Sequence, residues 1–389
     1  MNGHSTESDS KLYSVPRKVS IKHRLIDVIN LLLQPLDAQI VRRSLFNTLL
    51  SSHNSAKTLM AHALPPSPSE SEIPDELCLR PSYHDSPLPE EALSYLQQDN
   101  TRLLDLVKRY KALSLPVTTS SLWSDQFQQD GIDLRYFRGD DAFIWQYRGY
   151  KNRTVAELRY LLSTYYIESI DKLGLLKVLS EDNLFGVYTF DYNQRFLISR
   201  DLLDSILEIY FLEEHMGISQ RPGMNILDIG AGYGRLAHRM VKAFPGLGKF
   251  FCTDAIAIST FISEYYLRFR GVEDKAIVIP LDEIDTTLSN SYIDLAVNIH
   301  SFSECTLDAI CWWLDILKKY KVSYLMVVPN DGPVLLSREP DGTHQEFQPE
   351  IEARGYQVLA SDPKFKDSVL QQYGIYPAQY YLFKANFSD

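Results

Sequence analysis

The hydrophobic pattern divides the chain into a helical first half and a second half in which strands alternate with helices. Within residues 92–218, apolar positions recur every three or four residues, the spacing of helices with one buried face. The clearest such stretches are 96–111, 155–173 and 201–214. We interpret residues 92–218 as a helical cap domain that contributes to a substrate pocket.

After residue 219 the pattern predicts an α/β domain that extends to residue 389. The expected strands are 225–229, 249–253, 276–280, 293–298 and 324–328, with helices at 234–244, 259–270 and 306–320. Strands separated by helices indicate a mostly parallel, Rossmann-like sheet. A helix at 345–354 and strands at 356–360 and 380–384 follow without a long intervening helix. This ending predicts an antiparallel C-terminal hairpin.

The N-terminal region predicts an amphipathic helical arm over residues 1–60. Apolar residues recur at helical spacing from Ile21 to Leu36, and residues 1–60 contain eight Lys and Arg against four Asp and Glu. The arm either packs on its own domain or on a second copy of the chain, or it contacts a membrane surface. Residues 61–91, rich in Pro and Ser, form the predicted linker.

Composition narrows the class of partner. The net charge of −11 argues against a general nucleic-acid binder, because neutralising phosphates requires an excess of Lys and Arg. A small molecule such as a sugar or glycoside fits better. The four cysteines lack metal-ligand spacing, and no apolar run is long enough to span a bilayer. These features predict a cytoplasmic protein with reduced thiols.

A glycine-rich turn marks the predicted cofactor site in the segment 225–236, NILDIGAGYGRL. Glycines allow close approach of the backbone to a ligand, and Asp228 lies at the end of the preceding strand. Asp254 follows the second strand, where a carboxylate can accept both ribose hydroxyls of an adenosine. The full set of predicted cofactor contacts is Asp228, Gly230, Ala231, Gly232, Gly234, Asp254, Asp282 as an adenine contact, and Asn298.

Two nucleosidic cofactors compete for such a turn. The dinucleotide fingerprint places its third glycine at position 235, where this chain has Arg235, and Gly234 comes one residue early. This spacing and the C-terminal hairpin favour S-adenosylmethionine over NAD. Asp282 has an alternative interpretation as an acid near the N-terminus of a helix.

The region from about residue 147 to the end resembles the sugar O-methyltransferase family of class I methyltransferases. The segments that carry the resemblance are 181–186, 198–205, 226–236, 265–267 and 298–304. The chain departs from the family at Thr253-Asp254-Ala255-Ile256, where many members have Asp-Leu-Pro. The resemblance implies methyl transfer from S-adenosylmethionine to a hydroxyl of a sugar or glycoside. Alternatives are a carboxylate or amine of another metabolite as the acceptor, or an inactive scaffold that works by protein contact.

His300 and Glu304 are the predicted catalytic residues, because they follow the fourth strand, where open parallel sheets place groups near the reacting atoms. His300 is the expected general base, and Glu304 is expected to contact the substrate or cofactor. Alternatively, His300 only bonds within its loop, and Glu304 only precedes a helix cap. The Asp140-Asp141 pair falls short of a metal site, so no metal is expected.

The segment 199–204 also allows two interpretations. Ser199, Arg200, Asp201 and Asp204 close over the cofactor, or Ser199 simply caps the following helix.

Overall fold

A computed structural model describes residues 83–118, 122–123, 132–139, 143, 146, 153–330 and 332–387. The predicted arm and the first part of the predicted linker, up to residue 82, lie outside these ranges, as does the Asp140-Asp141 pair. Among the helices in the described ranges, none is long and apolar enough to cross a membrane.

Nine strands lie within the described residues. A short antiparallel hairpin comprises β1 (Phe190–Tyr192) and β2 (Phe196–Ile198). The main sheet contains β3 (Ile226–Ile229), β4 (Phe250–Thr253), β5 (Ala276–Ile279), β6 (Leu295–Ile299), β7 (Tyr324–Val328), β8 (Tyr356–Pro363) and β9 (Gln379–Ala385).

The strand order of the main sheet is β5-β4-β3-β6-β7-β9-β8. Strands β3 to β7 pair in parallel, whereas β9 is antiparallel to both β7 and β8. This is the arrangement of the class I methyltransferase fold, so the predicted fold class is confirmed. All four residues of β3 are buried, as expected for a central strand covered on both faces.

The helices within the described residues surround this sheet. In chain order they are α1 (Glu90–Tyr95), α2 (Thr101–Lys111), α3 (Arg153–Ile170), α4 (Leu175–Val178), α5 (Arg200–Met216), α6 (Arg235–Ala243), α7 (Ala257–Phe269), α8 (Ile284–Ser289), α9 (Leu307–Lys319), α10 (Gln348–Ala353) and α11 (Ser368–Tyr373).

Helix α5 connects the helical region with the sheet domain. The Ser199 side chain accepts a hydrogen bond from the backbone N–H of Leu202, and Gly217 ends the helix at a φ of 61°. The predicted cap at Ser199 is therefore confirmed. Residues 201–209 are all buried, and α5 packs against both α3 and α6. The described residues form one compact unit, and the domain boundary near residue 219 stays a prediction.

Candidate functional site

A cavity of about 1300 Å³ lies at the carboxyl ends of β3, β4 and β6. Open parallel sheets bind ligands at this edge because the loops that follow the strands converge there. Of the predicted cofactor contacts, the cavity is lined by Asp228, Gly230, Ala231, Gly232 and Asp254, and both predicted catalytic residues, His300 and Glu304, also line it.

The glycine turn forms the cavity wall after β3, with its amides bonded inside the protein. The N–H groups of Gly230 and Ala231 donate to the Thr253 carbonyl at 2.9 and 3.1 Å. The N–H of Gly232 donates to an Asp254 carboxylate oxygen at 3.0 Å. The turn therefore holds Asp254 in place. Because these three amide N–H groups bond within the protein, they are not offered to a ligand in the cavity.

Gly234 has a packing role and does not line the cavity. Its φ is 86°, and a Cβ atom there would lie 3.0 Å from Ser263 Oγ and 3.1 Å from Leu267 on α7. The early third glycine thus permits the close approach of α7. Its contact with the cofactor stays a prediction.

Asp228 and Asp254 place two buried carboxyl groups against the cavity. Burial raises the pKa of Asp228 to about 8 and that of Asp254 to about 7. Asp254 accepts backbone N–H bonds from Gly232 and, at 2.8 Å, from Ile256. No described residue donates a hydrogen bond to Asp228. A buried acid without a donor is a candidate binding group for a ligand that supplies one.

Two predicted contacts are engaged elsewhere. The Asp282 carboxylate accepts two hydrogen bonds from Arg109 on α2, each 2.7 Å, and does not line the cavity. Asn298 is fully buried and also lies outside the lining; its amide donates to the Ile229 carbonyl at 2.9 Å and accepts from Phe302 N–H at 2.9 Å. Asp282 therefore joins α2 to the loop after β5, and Asn298 fixes the loop after β6 against β3.

His300 begins the turn after β6 with a φ of 69°. Its Nδ1 lies 3.3 Å from the Pro329 carbonyl oxygen, which can only accept, so Nδ1 carries the proton and Nε2 keeps its lone pair. Burial, together with the nearby charges of Arg200, Arg235 and Lys364, lowers the pKa of His300 to about 3. The imidazole is therefore neutral throughout the physiological pH range.

Glu304 lies between two hydrogen-bond donors at the cavity wall. Trp123 Nε1 donates to one carboxylate oxygen at 2.7 Å, and Asn330 Nδ2 donates to the other at 3.0 Å. Burial raises the pKa of Glu304. Trp123 also lies near Phe143, with ring centroids 5.9 Å apart, and a Cβ atom on Gly232 would lie 3.3 Å from the Phe143 ring. Trp123 and Phe143 therefore cover the cavity between Glu304 and the glycine turn.

Three basic side chains, Arg200, Arg235 and Lys364, form a cation cluster in the cavity wall. Arg200 Nε bonds Asp204 at 3.0 Å, and Arg235 makes two bonds of 2.9 Å to Glu208. Arg200 and Asp204 lie near the cofactor in only one of the two interpretations of the segment 199–204, and neither Arg235 nor Lys364 is expected there from the sequence. Lys364 follows β8, more than 120 residues after the glycine motif, and no local pattern marks it.

A second charged group joins the segment before α3 to the glycine turn. Arg138 is fully buried and donates to Glu181 at 2.8 Å and to Asp182 and Asp201 at 3.0 Å each. The Tyr233 hydroxyl of the glycine turn also donates to Asp201. The carboxylate of Asp201 therefore binds both the segment that contains Arg138 and the glycine turn.

Among the described residues, one group has metal-ligand spacing: Glu214, His215 and Asp362. The Lys366 ammonium lies 2.5 Å from Glu214 and 3.5 Å from Asp362 and supplies the positive charge there. His215 bonds Asp362 at 2.7 Å. This surface group is a satisfied ion-pair network.

Comparison with known proteins gives only distant structural similarity. No family model matches the chain, and no curated protein matches it. The mitomycin 7-O-methyltransferase MmcR is 19% identical, with 48% of this chain and 57% of that chain covered at a TM-score of 0.33. M. capricolum TrmK in complex with S-adenosyl-homocysteine is 13% identical, with 45% and 70% covered at 0.30. The [4+2]-cyclase SpnF is 14% identical, with 60% and 96% covered at 0.34.

These similarities are too low to carry an argument about activity. The fold assignment rests on the strand order of the sheet.

Proposed function

We propose that this chain is an S-adenosylmethionine-dependent methyltransferase that methylates an oxygen of a small acceptor. A hydroxyl of a sugar or glycoside is the acceptor that the family resemblance favours. The observation that supports the proposal most directly is the pair of buried acids, Asp228 and Asp254, at the ends of adjacent strands in one cavity.

The lining groups fit the parts of this cofactor. Asp254, held by two backbone N–H bonds, keeps lone pairs for the two ribose hydroxyls. Asp228 would accept from the methionine ammonium, a charged donor that also favours ionisation of the acid. Leu103, Val107 and Ile256 provide apolar surface for the adenine. When bound, the cofactor supplies an electrophilic methyl group on a positively charged sulfur.

The residues after β6 can handle the acceptor. His300 is neutral, and its Nε2 lone pair is available to take the proton of a hydroxyl as the oxygen becomes nucleophilic. Glu304, fixed by Trp123 and Asn330, lies in the same wall and helps to position the acceptor. The aromatic pair above them excludes water, which would compete for the methyl group.

Calorimetric titration with S-adenosylhomocysteine and with NAD tests cofactor choice. We expect S-adenosylhomocysteine to bind and NAD not to bind. At pH 8, above the Asp254 pKa of about 7, Asp254→Ala should weaken binding at least about 10-fold, because it removes hydrogen bonds to a charged acceptor worth about 1.5 to 3 kcal/mol each. Asp274→Ala is the matched control, since Asp274 is exposed and does not line the cavity.

Either of two results would reject the proposal: NAD binding in preference to S-adenosylhomocysteine, or unchanged affinity in a folded Asp254→Ala variant. Turnover is then measured as S-adenosylhomocysteine release with a panel of glycosides, carboxylic acids and amines. A response confined to carboxylic acids or amines would retain the cofactor assignment and replace the hydroxyl acceptor.

A further inference from the structure

Helix α2 contributes one wall of the cavity, although it ends more than 100 residues before β3. Its residues at positions three or four apart share one face of the helix, and that face is turned to the cavity. The lining side chains of α2 are Leu103, Leu104, Val107, Tyr110 and Lys111. The wall that α2 forms is therefore mainly apolar.

The place of α2 on the sheet matches the place expected for the nucleobase of the cofactor. Strands β3, β4 and β5 are neighbours in that order, so a cofactor that meets Asp228 after β3 and Asp254 after β4 extends toward β5. The Tyr110 hydroxyl bonds Thr260 Oγ1 on α7 at 2.9 Å and accepts the Leu281 N–H, after β5, at 2.8 Å. Helix α2 therefore lies against the loop that follows β5.

An ion pair joins α2 to the same loop. Arg109 donates from Nε and Nη2 to the two carboxylate oxygens of Asp282, at 2.7 Å each, and from Nη2 to Glu283 at 2.6 Å. Paired bonds of this kind fix the orientation of the guanidinium as well as its distance. None of these three side chains lines the cavity. The side chains of Arg109 and Asp282 are 25% and 26% exposed, so dissolved salt can weaken the pair.

The first turn of α2 has a separate attachment. Arg102 Nε donates to Glu264 on α7 at 2.9 Å. This bond and the buried Tyr110 hydroxyl do not involve Arg109. Loss of the Arg109 ion pair should therefore loosen the last turn of α2 and leave the helix attached to α7.

We propose that α2 retains the nucleobase end of the cofactor, and that Asp282 anchors this helix through Arg109 instead of contacting the adenine itself. Asp282 and Arg109 are then positioning residues, because both lie outside the cavity. A loosened α2 would hold its apolar face less firmly over the nucleobase, so the ligand would leave faster. The inference rests on the proposed function and extends the cofactor site to a helix that precedes the sheet.

The release rate of S-adenosylhomocysteine, measured by stopped-flow at low and high sodium chloride, tests this role. Arg109→Gln and Asp282→Ala should each speed release about three- to tenfold, the scale of a partly exposed paired ion contact. The double variant should release the ligand about as fast as Arg109→Gln alone, because both changes remove the same contact. Salt should speed release from the wild type more than from Arg109→Gln.

Arg354→Gln is the matched control. Arg354 also bonds two acids, Asp315 and Glu350, at 2.7 Å each, and it does not line the cavity. Its loss should leave the release rate unchanged. Circular dichroism establishes whether each variant is folded. Should Arg109→Gln fail to fold, Arg109→Lys serves instead, since it keeps the charge but loses the paired donors, and it should speed release to a smaller extent.

The inference is wrong if a folded Arg109→Gln variant releases S-adenosylhomocysteine at the wild-type rate, or if the effects of Arg109→Gln and Asp282→Ala add. Tighter binding by Arg109→Gln with weaker binding by Asp282→Ala would also overturn it, because the adenine and Arg109 would then compete for Asp282. A wild type that does not bind S-adenosylhomocysteine would reject the proposed function itself.

Discussion

Replacing Asp228 with Asn should stabilise the ligand-free protein at neutral and higher pH. Burial raises the pKa of Asp228 from 3.8 to about 8. Between these values the unfolded chain has lost a proton that the folded protein retains. Each pH unit in this window therefore lowers the free energy of unfolding by up to about 1.4 kcal/mol.

The pH range between the two pKa values of Asp228 sets how much stability is lost. Below about pH 4, Asp228 is protonated in both states and does not lower the free energy of unfolding. At pH 7 it lowers the free energy of unfolding by up to about 4 kcal/mol, and above about pH 8 this loss is constant. Asn cannot ionise, so Asp228→Asn removes the cost and leaves a side chain of similar size.

Denaturant unfolding near pH 5 and near pH 8 measures the effect. We expect the advantage of Asp228→Asn over the wild type to grow with pH, by about 2 to 4 kcal/mol across this range. Asp274→Asn, at an exposed position, should follow the wild type. Saturating S-adenosylhomocysteine should reduce or reverse the advantage, because its ammonium group would pair with the ionised acid. A pH-independent difference between Asp228→Asn and the wild type would refute the reasoning.

Three further predictions concern the base, the cover and the arm. His300→Asn should lower turnover roughly 10²- to 10⁴-fold with S-adenosylhomocysteine affinity nearly intact. Turnover of the wild type should show no ionisation of His300 near pH 6.5, since its pKa is about 3. Near-normal turnover of His300→Asn would contradict the assignment of His300 as the general base. Trp123→Phe removes the hydrogen bond to Glu304, worth about 1 kcal/mol, that holds Trp123 over the cavity. Stopped-flow should therefore show S-adenosylhomocysteine release about fivefold faster. An unchanged rate would show that Trp123 does not retain the ligand. Deleting residues 1–60 should leave that affinity unchanged in calorimetry, and loss of binding would assign the arm to the folded core.

Much of the fold could be predicted because hydrophobic periodicity is a local property. The strands and helices predicted after residue 225 lie within a few residues of their observed bounds, although α8 and α11 were not predicted, and the two acids at the ends of β3 and β4 line one cavity because parallel strands end at one edge. The β1–β2 hairpin was missed. Its strands have only three residues each, although Asn193 and Gln194, with φ of 54° and 56°, carry a turn signal that could have revealed it.

The rest depends on contacts between distant segments. Asp282 has the sequence position of an adenine contact, yet Arg109, from a helix more than 170 residues earlier, takes its carboxylate. Gly234 was assigned to the cofactor because the motif cannot show that α7 approaches it so closely. Arg200 and Lys364 meet only through the packing of α5 beside the end of β8. Sequence spacing contains no information about such meetings.

The burial of Arg138 has a consequence for how the protein unfolds. Its three carboxylate partners come from the segment before β1 and from α5, and one of them also holds the glycine turn through Tyr233. If the helical region opened alone, several of these charges would lose their counterions while others remained buried, at a cost of several kcal/mol. We therefore expect partly opened forms to be scarce. Heating should melt the helical region and the sheet in a single calorimetric peak, with equal calorimetric and van't Hoff enthalpies.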